Sequence, residues 1–485
     1  MRPFQAPLLL AAALLAGNVL KLHAQPLTVL HNFSELQGSS PSTNWDGAQP
    51  YHTGVTLSGH RLYGTTYCGG PNGSGTAFSL STDGNDFTVL HAFSNSQGSA
   101  YTNADGEYPQ GGLVLAGDTL YGTTLNGGTQ SGGYGVVFAV STNGAAFATL
   151  HSFDSVSDGR NPAGPLLLVD NRLYGIAEVG GTGDNGTVFA LNPDGSEFTV
   201  LHALTNLEGD LPYAGLTLSD GTLYGTANYG GAQGGGTVFA VKTNGEAFTI
   251  LHNFSSAAGP AYTNADGIYP EGRLAVADGR LYGTATEGGP YRRGTLFSMS
   301  TNGADFNVLH AFSGEDGDYP LGLLISGGVV YGVTEAGGAN DTGTLFSINT
   351  NGSDFAVPRH FDPVNYSYYT NYSGVNPEGD LVMEGRTLYG TTEYGGAGGN
   401  GTVFSFTLAP RILSLNVDGG DVVIHGSNAL AGDTCVVLRS ADLAAPISSW
   451  TPVATNVLSA SSFTIVVPNE AGASFPQRFY ALQVR

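Results

Sequence analysis

Charge is scarce in this chain: 11% of its 485 residues are Asp, Glu, Lys or Arg, against about 25% in ordinary soluble domains. Positive charge is scarcer still, with 16 Lys and Arg against 39 Asp and Glu and a formal net charge of −23. Such a surface repels phosphate backbones and anionic membranes, which excludes nucleic acid as a partner and leaves cations or neutral molecules. Only two cysteines occur, Cys68 and Cys435. They fall in different domains and are read as thiols outside any disulfide, so burial must hold the fold together. No segment keeps a helical period over a useful length. Gly follows no three-residue period, which excludes collagen, and 24 Tyr with 24 Phe exclude disorder for most of the chain. What remains is 74 Gly among many Thr, Val, Tyr and Phe, the composition of short strands and tight turns.

The N-terminus has the layout of an export signal over residues 1–24. Arg2 supplies the positive region, Pro7 to Ala16 the apolar run, and Leu22-His23-Ala24 a small residue before a cut that leaves Gln25 first. The run is too short for a stable span. The expectation is a secreted or cell-surface protein with no membrane span once the signal is removed.

Self-comparison is the informative step. Leu-Tyr-Gly or a near variant places its tyrosine at Tyr63, Tyr121, Tyr174, Tyr224, Tyr282, Tyr331 and Tyr389, with spacings of 58, 53, 50, 58, 49 and 58 residues. Gly-Gly follows six residues on, and then Gly-Thr-Val-Phe or a variant, ending at Phe78, Phe138, Phe189, Phe239, Phe297, Phe346 and Phe404. A third element, Phe-Thr-Val-Leu-His-x-Phe, puts its histidine at His31, His91, His151, His202, His252, His310 and His360. A fourth is Asp-Gly-x-x-Pro, as in Asp105 to Pro109.

Each unit holds four strand-sized segments. In the second these are Gly112–Ala116, Thr119–Thr124, Val136–Ser141 and Phe147–Phe153, with tight turns at Ala116-Gly117-Asp118 and Thr142-Asn143-Gly144. Units of this size match β-propeller blades and exceed solenoid rungs. After the signal the chain starts with a lone fourth strand, Leu27 to Phe33, while the seventh unit ends at Phe404 to Leu408 without one. Docking the first onto the last completes the ring and covers an exposed strand edge. The fold class is therefore all-β: a seven-bladed propeller over 25–409, closed by the N-terminal strand.

The repeat resembles the GloVer tandem repeat of secreted proteins from some Verrucomicrobia and cyanobacteria. The resemblance spans Leu27 to Leu408 and rests on Leu-Tyr-Gly-Thr-Thr, Gly-Gly, Gly-Thr-Val-Phe and Val-Leu-His-x-Phe. It implies an extracellular, propeller-like protein. Members of that family often end in a sorting anchor with a hydrophobic helix and basic tail, whereas this chain ends in Phe479 to Arg485 without such a helix. A freely secreted product is the expectation.

From Pro410 the repeat stops. Ile412–Val417, Val422–His425, Thr434–Arg439, Ser462–Val467 and Arg478–Val484 read as strands of a small β-sandwich-like accessory domain over 410–485.

A residue present in every unit does one structural job seven times. The seven histidines read as half-buried, positioned by the Asp of the following Asp-Gly motif, and the seven tyrosines as packing residues. Imidazoles spread around a ring cannot share a metal. Gly-Gly loops lack the Lys and helix of a phosphate cradle and read as turns. Acidic loops such as Glu315-Asp316-Gly317-Asp318 leave structural calcium as an option. No cofactor is expected.

Function belongs where the units differ. After the repeated Pro the chain carries Tyr51, Gln110, Tyr213, Glu271 and Glu378, followed by Arg273 and Asp380. In the loop after strand two, Glu178, Glu335 and Glu393 occupy equivalent sites, with Glu287 nearby. Four units add a Thr-Asn insert, at Asn44, Asn103, Asn264 and Asn371. By propeller topology these loops open on one face. Aromatics beside carboxylates and amides suit a neutral sugar or a peptide. The leading reading is a monomeric, non-enzymatic protein that binds an extracellular glycan or protein on this face. A rival is a carbohydrate-active hydrolase or lyase using Glu271 with Glu378 or Glu335 with Glu393, which must stand about 5–9.5 Å apart. A third is a structural component without a discrete ligand.

Overall fold

A computed structural model describes residues 27–408 except 39–40, 53, 97–99 and 257–262. Beyond these it describes 411–418, 421–427, 434–441, 445, 449–458, 463–468 and 479–484. Residues 1–24, which the sequence reading assigns to an export signal, lie outside the described residues.

Seven four-stranded antiparallel sheets follow one another along the chain. In the second they run Val114–Ala116, Thr119–Thr124, Val136–Ser141 and Phe147–Ser152, hairpin after hairpin. The repeat motifs have a steric reason. In the first blade Gly64 stands opposite Phe78, and a Cβ on Gly64 would lie 2.6 Å from the Phe78 ring. The glycine of Leu-Tyr-Gly thus leaves the space that the phenylalanine of Gly-Thr-x-Phe fills, and Phe78 is fully buried.

The same motifs lock neighbouring blades. A Cβ on Gly75 would sit 2.3 Å from the Thr66 carbonyl and 2.7 Å from Cδ of Pro109 in the next blade, so only glycine admits that proline. The pairing recurs from Gly135 with Pro162 round to Gly401 with Pro50. Tyr63, 6% exposed, packs into the next blade's core of Leu113, Leu120 and Phe138.

The ring closes as a sheet. Leu27–Asn32 forms the outer strand beside Thr402–Thr407, then Thr387–Thr392 and Val382–Glu384. Phe33 N donates to the Gly401 carbonyl at 3.1 Å, and Asn400 Nδ2 donates to the Ser34 carbonyl at 2.8 Å. Phe33 is fully buried among Phe78, Leu80 and Val403.

The chain divides into two compact units: Thr28–Val382 with Tyr389–Ser405, and Met1–Leu27 with Met383–Leu388 and Phe406–Arg485. The tail contains two three-stranded antiparallel sheets, Arg411–Asp418, Asp421–Ser427 and Phe463–Val467 in one, Thr451–Val457, Thr434–Ser440 and Phe479–Val484 in the other. They share a core of Ile424, Cys435, Val437 and Ile465. The strand Thr451–Val457 is an addition to the sequence reading. It carries Pro452 and Asn456, which mask a strand pattern, and it lies at a sheet edge, where proline is tolerated.

Candidate functional site: the channel mouth and its rim

The conserved pattern within the repeats is spent on structure. His91 Nε2 lies 2.9 Å from Asp105, which also accepts from Ser94 N and Oγ at 3.1 Å. The ring of His91 stacks on Phe147 of the next blade at 3.7 Å. Equivalent acid partners serve His31 (Asp46), His151 (Asp158), His202 (Glu208), His252 (Asp266) and His310 (Asp316). At His360 the acid is replaced by Ser373, and the imidazole accepts from Ala339 N at 3.1 Å. These bonds hold the Asp105, Glu208, Asp266 and Asp316 carboxyls below the usual range against the opposing effect of burial. The acidic loop that suggested calcium is engaged in the same way, Asp316 with His310 and Asp318 with Arg293. Among the described residues no group of three or more His, Cys, Asp or Glu is placed to hold a metal.

The Thr-Asn inserts are clips. Asn103 Oδ1 accepts from Gly106 N and Gly128 N at 2.8 and 3.0 Å, and its Nδ2 donates to the Ser94 and Gly106 carbonyls. Asn44, Asn264 and Asn371 do the same. Their hydrogen-bonding capacity is used within the loop.

The positions that differ between units come together. The segments leading into the inner strands approach at backbone distance: a Cβ on Gly111 would lie 2.2 Å from the Gly164 carbonyl, and one on Gly322 2.3 Å from that of Gly379. This squeezes the space between the blades to a cavity of about 40 Å³, lined by His52, Gln110, Tyr213, Glu271, Glu378 and Asp380 among others. That is room for a few water molecules. Gln110 Nε2 donates to the Tyr213 hydroxyl, and the Tyr213 and Tyr51 hydroxyls are bonded to each other. Gln110 is 3% exposed and its Oε1 has no partner.

Carboxyl groups dominate the site. Glu378 donates a hydrogen bond to Glu393, which also accepts from the Tyr394 hydroxyl. Burial, with Glu393 and Glu335 beside it, holds Glu378 well above the carboxylate range. Burial raises Glu393 to about 7. It also raises Glu271 to about 7 despite the 2.8 Å bond from Asn228 Nδ2. Glu178 reaches about 7 through burial alone. Glu335, bonded by Asn376 Nδ2 at 3.2 Å, is raised for the same reason. Asp380 is raised by burial although Arg273 stands 3.8 Å away. Arg273 also donates to the Leu216 carbonyl at 3.1 Å. His52 Nε2 lies 3.6 Å from Glu378, yet burial lowers that imidazole to about 3, so near neutral pH both groups are uncharged. The pair in direct contact is Glu378 with Glu393, neither of the pairs named from sequence.

Three elements of the site escape the sequence reading. His52 occupies a position where the other units carry Gly or Ala, a signal that self-alignment exposes. Asn228 and Asn376 orient two of the carboxyls. Beside the mouth lies an open groove of about 530 Å³, lined by Tyr368, Tyr369, Tyr394, Gln49, Asn400 and Glu35 with others.

Fold and site together define a seven-bladed β-propeller with an acidic, proton-retaining mouth on its long-loop face. The chain belongs to the Gloeobacter/Verrucomicrobia repeat family, whose model matches residues 99–265 and 270–431. No curated relative matches the sequence. Among solved structures, an oligogalacturonate lyase in complex with manganese is similar at 11% identity and a TM-score of 0.46, with 79% of this chain and 97% of that chain covered. The nidogen/laminin complex is similar at 13% identity and a TM-score of 0.35, with 53% of this chain and 82% of that chain covered. These likenesses transfer no activity. Among the described residues no helix is long and apolar enough to cross a membrane.

Proposed function

We propose that the protein is a secreted, non-enzymatic binding propeller that takes an extracellular glycan or protein on its long-loop face. One observation carries this reading. The residues that break the repeat, Gln110, Tyr213, Glu271 and Glu378, come from four blades yet line one mouth. The residues shared by all units are occupied with the fold.

Glycosidase carboxyls stand about 5–9.5 Å apart to flank a sugar, and Glu378 and Glu393, coupled side by side, are not such a pair; Glu271 and Glu378, which both line the mouth, keep the hydrolase as the second reading. A glycan-array or pull-down screen with the full chain tests the proposal. It predicts a ligand whose affinity falls when Tyr213→Ala is combined with Glu271→Ala. Unchanged affinity assigns the wrong face, and polysaccharide cleavage abolished by Glu271→Gln replaces binding with catalysis.

A further inference from the structure

Tyr366, Tyr368, Tyr369 and Tyr372 lie within seven residues of one loop and are 68, 76, 46 and 63% exposed. The corresponding inserts of the other units carry one tyrosine, as at Tyr101, or none, as in Ser40 to Asn44. Nothing in blade packing asks for this cluster: the local fold is held by Asn371, whose side chain clips Gly374 and Gly396. A soluble protein exposes several adjoining aromatics chiefly where something binds.

The tyrosines border a concavity. Tyr368 and Tyr369 line the groove of about 530 Å³ together with Tyr394, which stands 5.7 Å from Tyr369 at 64°. That volume falls within the range of about 300–1,000 Å³ usual for ligand pockets. Gly398 and Gly399 form part of its wall, so a ligand meets bare backbone there. Gln49 contributes an amide, Asn400 its Oδ1, since its Nδ2 donates to the Ser34 and Gly398 carbonyls, and Glu35 a carboxylate. Ring faces that cover the apolar side of a flat ligand, beside amide and hydroxyl groups that meet its polar edge, match the two-sided chemistry of a sugar ring. The net charge of −23 turns away anionic polymers.

We propose that this groove is a saccharide subsite, in which a short stretch of a neutral polysaccharide stacks on Tyr368 and Tyr369 while its hydroxyls meet Gln49 and Asn400. The proposal rests on the long-loop face being the binding face, and it names the class of ligand. The groove also touches the buried carboxyls, because Tyr394 donates to Glu393.

Affinity electrophoresis of the full chain in gels containing laminarin, mannan or xylan, with alginate as the anionic probe, tests it. At least one neutral polymer should retard the protein and alginate should not. Tyr368→Ala with Tyr369→Ala should weaken that retardation about tenfold with an unchanged thermal midpoint, since both side chains are exposed. Tyr101→Ala, an equally exposed tyrosine of another loop, should leave it intact. The proposal is overturned by retardation from no neutral polymer, or by retardation that survives the double substitution. If instead Tyr213→Ala with Glu271→Ala abolishes binding while the Tyr368 and Tyr369 changes do not, the face stands and the groove does not. A concentration-dependent dimer in sedimentation that the same tyrosine changes abolish, without polysaccharide binding, also overturns it by making the groove a contact between two copies.

Discussion

Glu378 and Glu393 stand together at the mouth, and burial raises both carboxyls above the usual range. The two are fifteen residues apart in the chain, one before the inner strand of the seventh blade and one after its second strand. Backbone pairing of Val375 with Tyr394 brings them face to face. Two neighbouring buried carboxylates cannot both ionise cheaply, so Glu378 is held well above the carboxylate range and keeps its proton near neutral pH. The mouth therefore carries less negative charge than its composition implies.

Stability should respond to this burial with a definite sign. Glu271 titrates at about 7 in the folded protein against 4.5 for a freely hydrated glutamate. Between those values the folded state holds a proton that the unfolded state has lost. The stabilisation is complete below the unfolded value and fades as pH rises through the folded one. Glu271→Gln, which keeps the oxygen that Asn228 bonds, should raise the thermal midpoint near pH 8 and leave it unchanged near pH 4. The gain is at most about 3 kcal/mol. Melting curves across that range check it; an equal effect at both ends would place the Glu271 carboxyl in ordinary solvent.

The histidine ring offers an internal control. His91 has both a carboxylate partner and a stacked Phe147. His360 has neither an acid at the repeat position nor the phenylalanine, because Leu27 stands where the other units have Phe. His91→Ala should cost about 1–3 kcal/mol and His360→Ala distinctly less, measured by urea unfolding. Equal losses would mean that the Asp105 bond contributes little.

The architecture is legible in the sequence because each motif answers a steric demand that recurs in every blade, as at Gly64 under Phe78 or Gly75 against Pro109. The location of the mouth is legible for the opposite reason: Gln110, Tyr213 and Glu271 stand out where the units differ. The carboxyl pairing is not, since Glu378 and Glu393 belong to one blade while sequence spacing suggests partners across blades. The Asn44, Asn103, Asn264 and Asn371 inserts look like ligand groups until their bonds are traced into the loop. The tyrosines beside Asn371 escape notice because the Thr-Asn repeat draws attention from the residues that do not repeat.

Ring closure by the N-terminal strand underlies all of this, because His52 of the first blade reaches Glu378 of the seventh only in a closed ring. Removing the chain through Phe33 tests it directly. That deletion bares the Thr402–Thr407 edge and empties the site of a fully buried phenylalanine, a loss of about 5 kcal/mol or more. The shortened protein should lose its cooperative melting transition, and a synthetic peptide of residues 26–35 added in trans should restore it. A shortened chain that melts at the wild-type midpoint, indifferent to the peptide, would contradict the account.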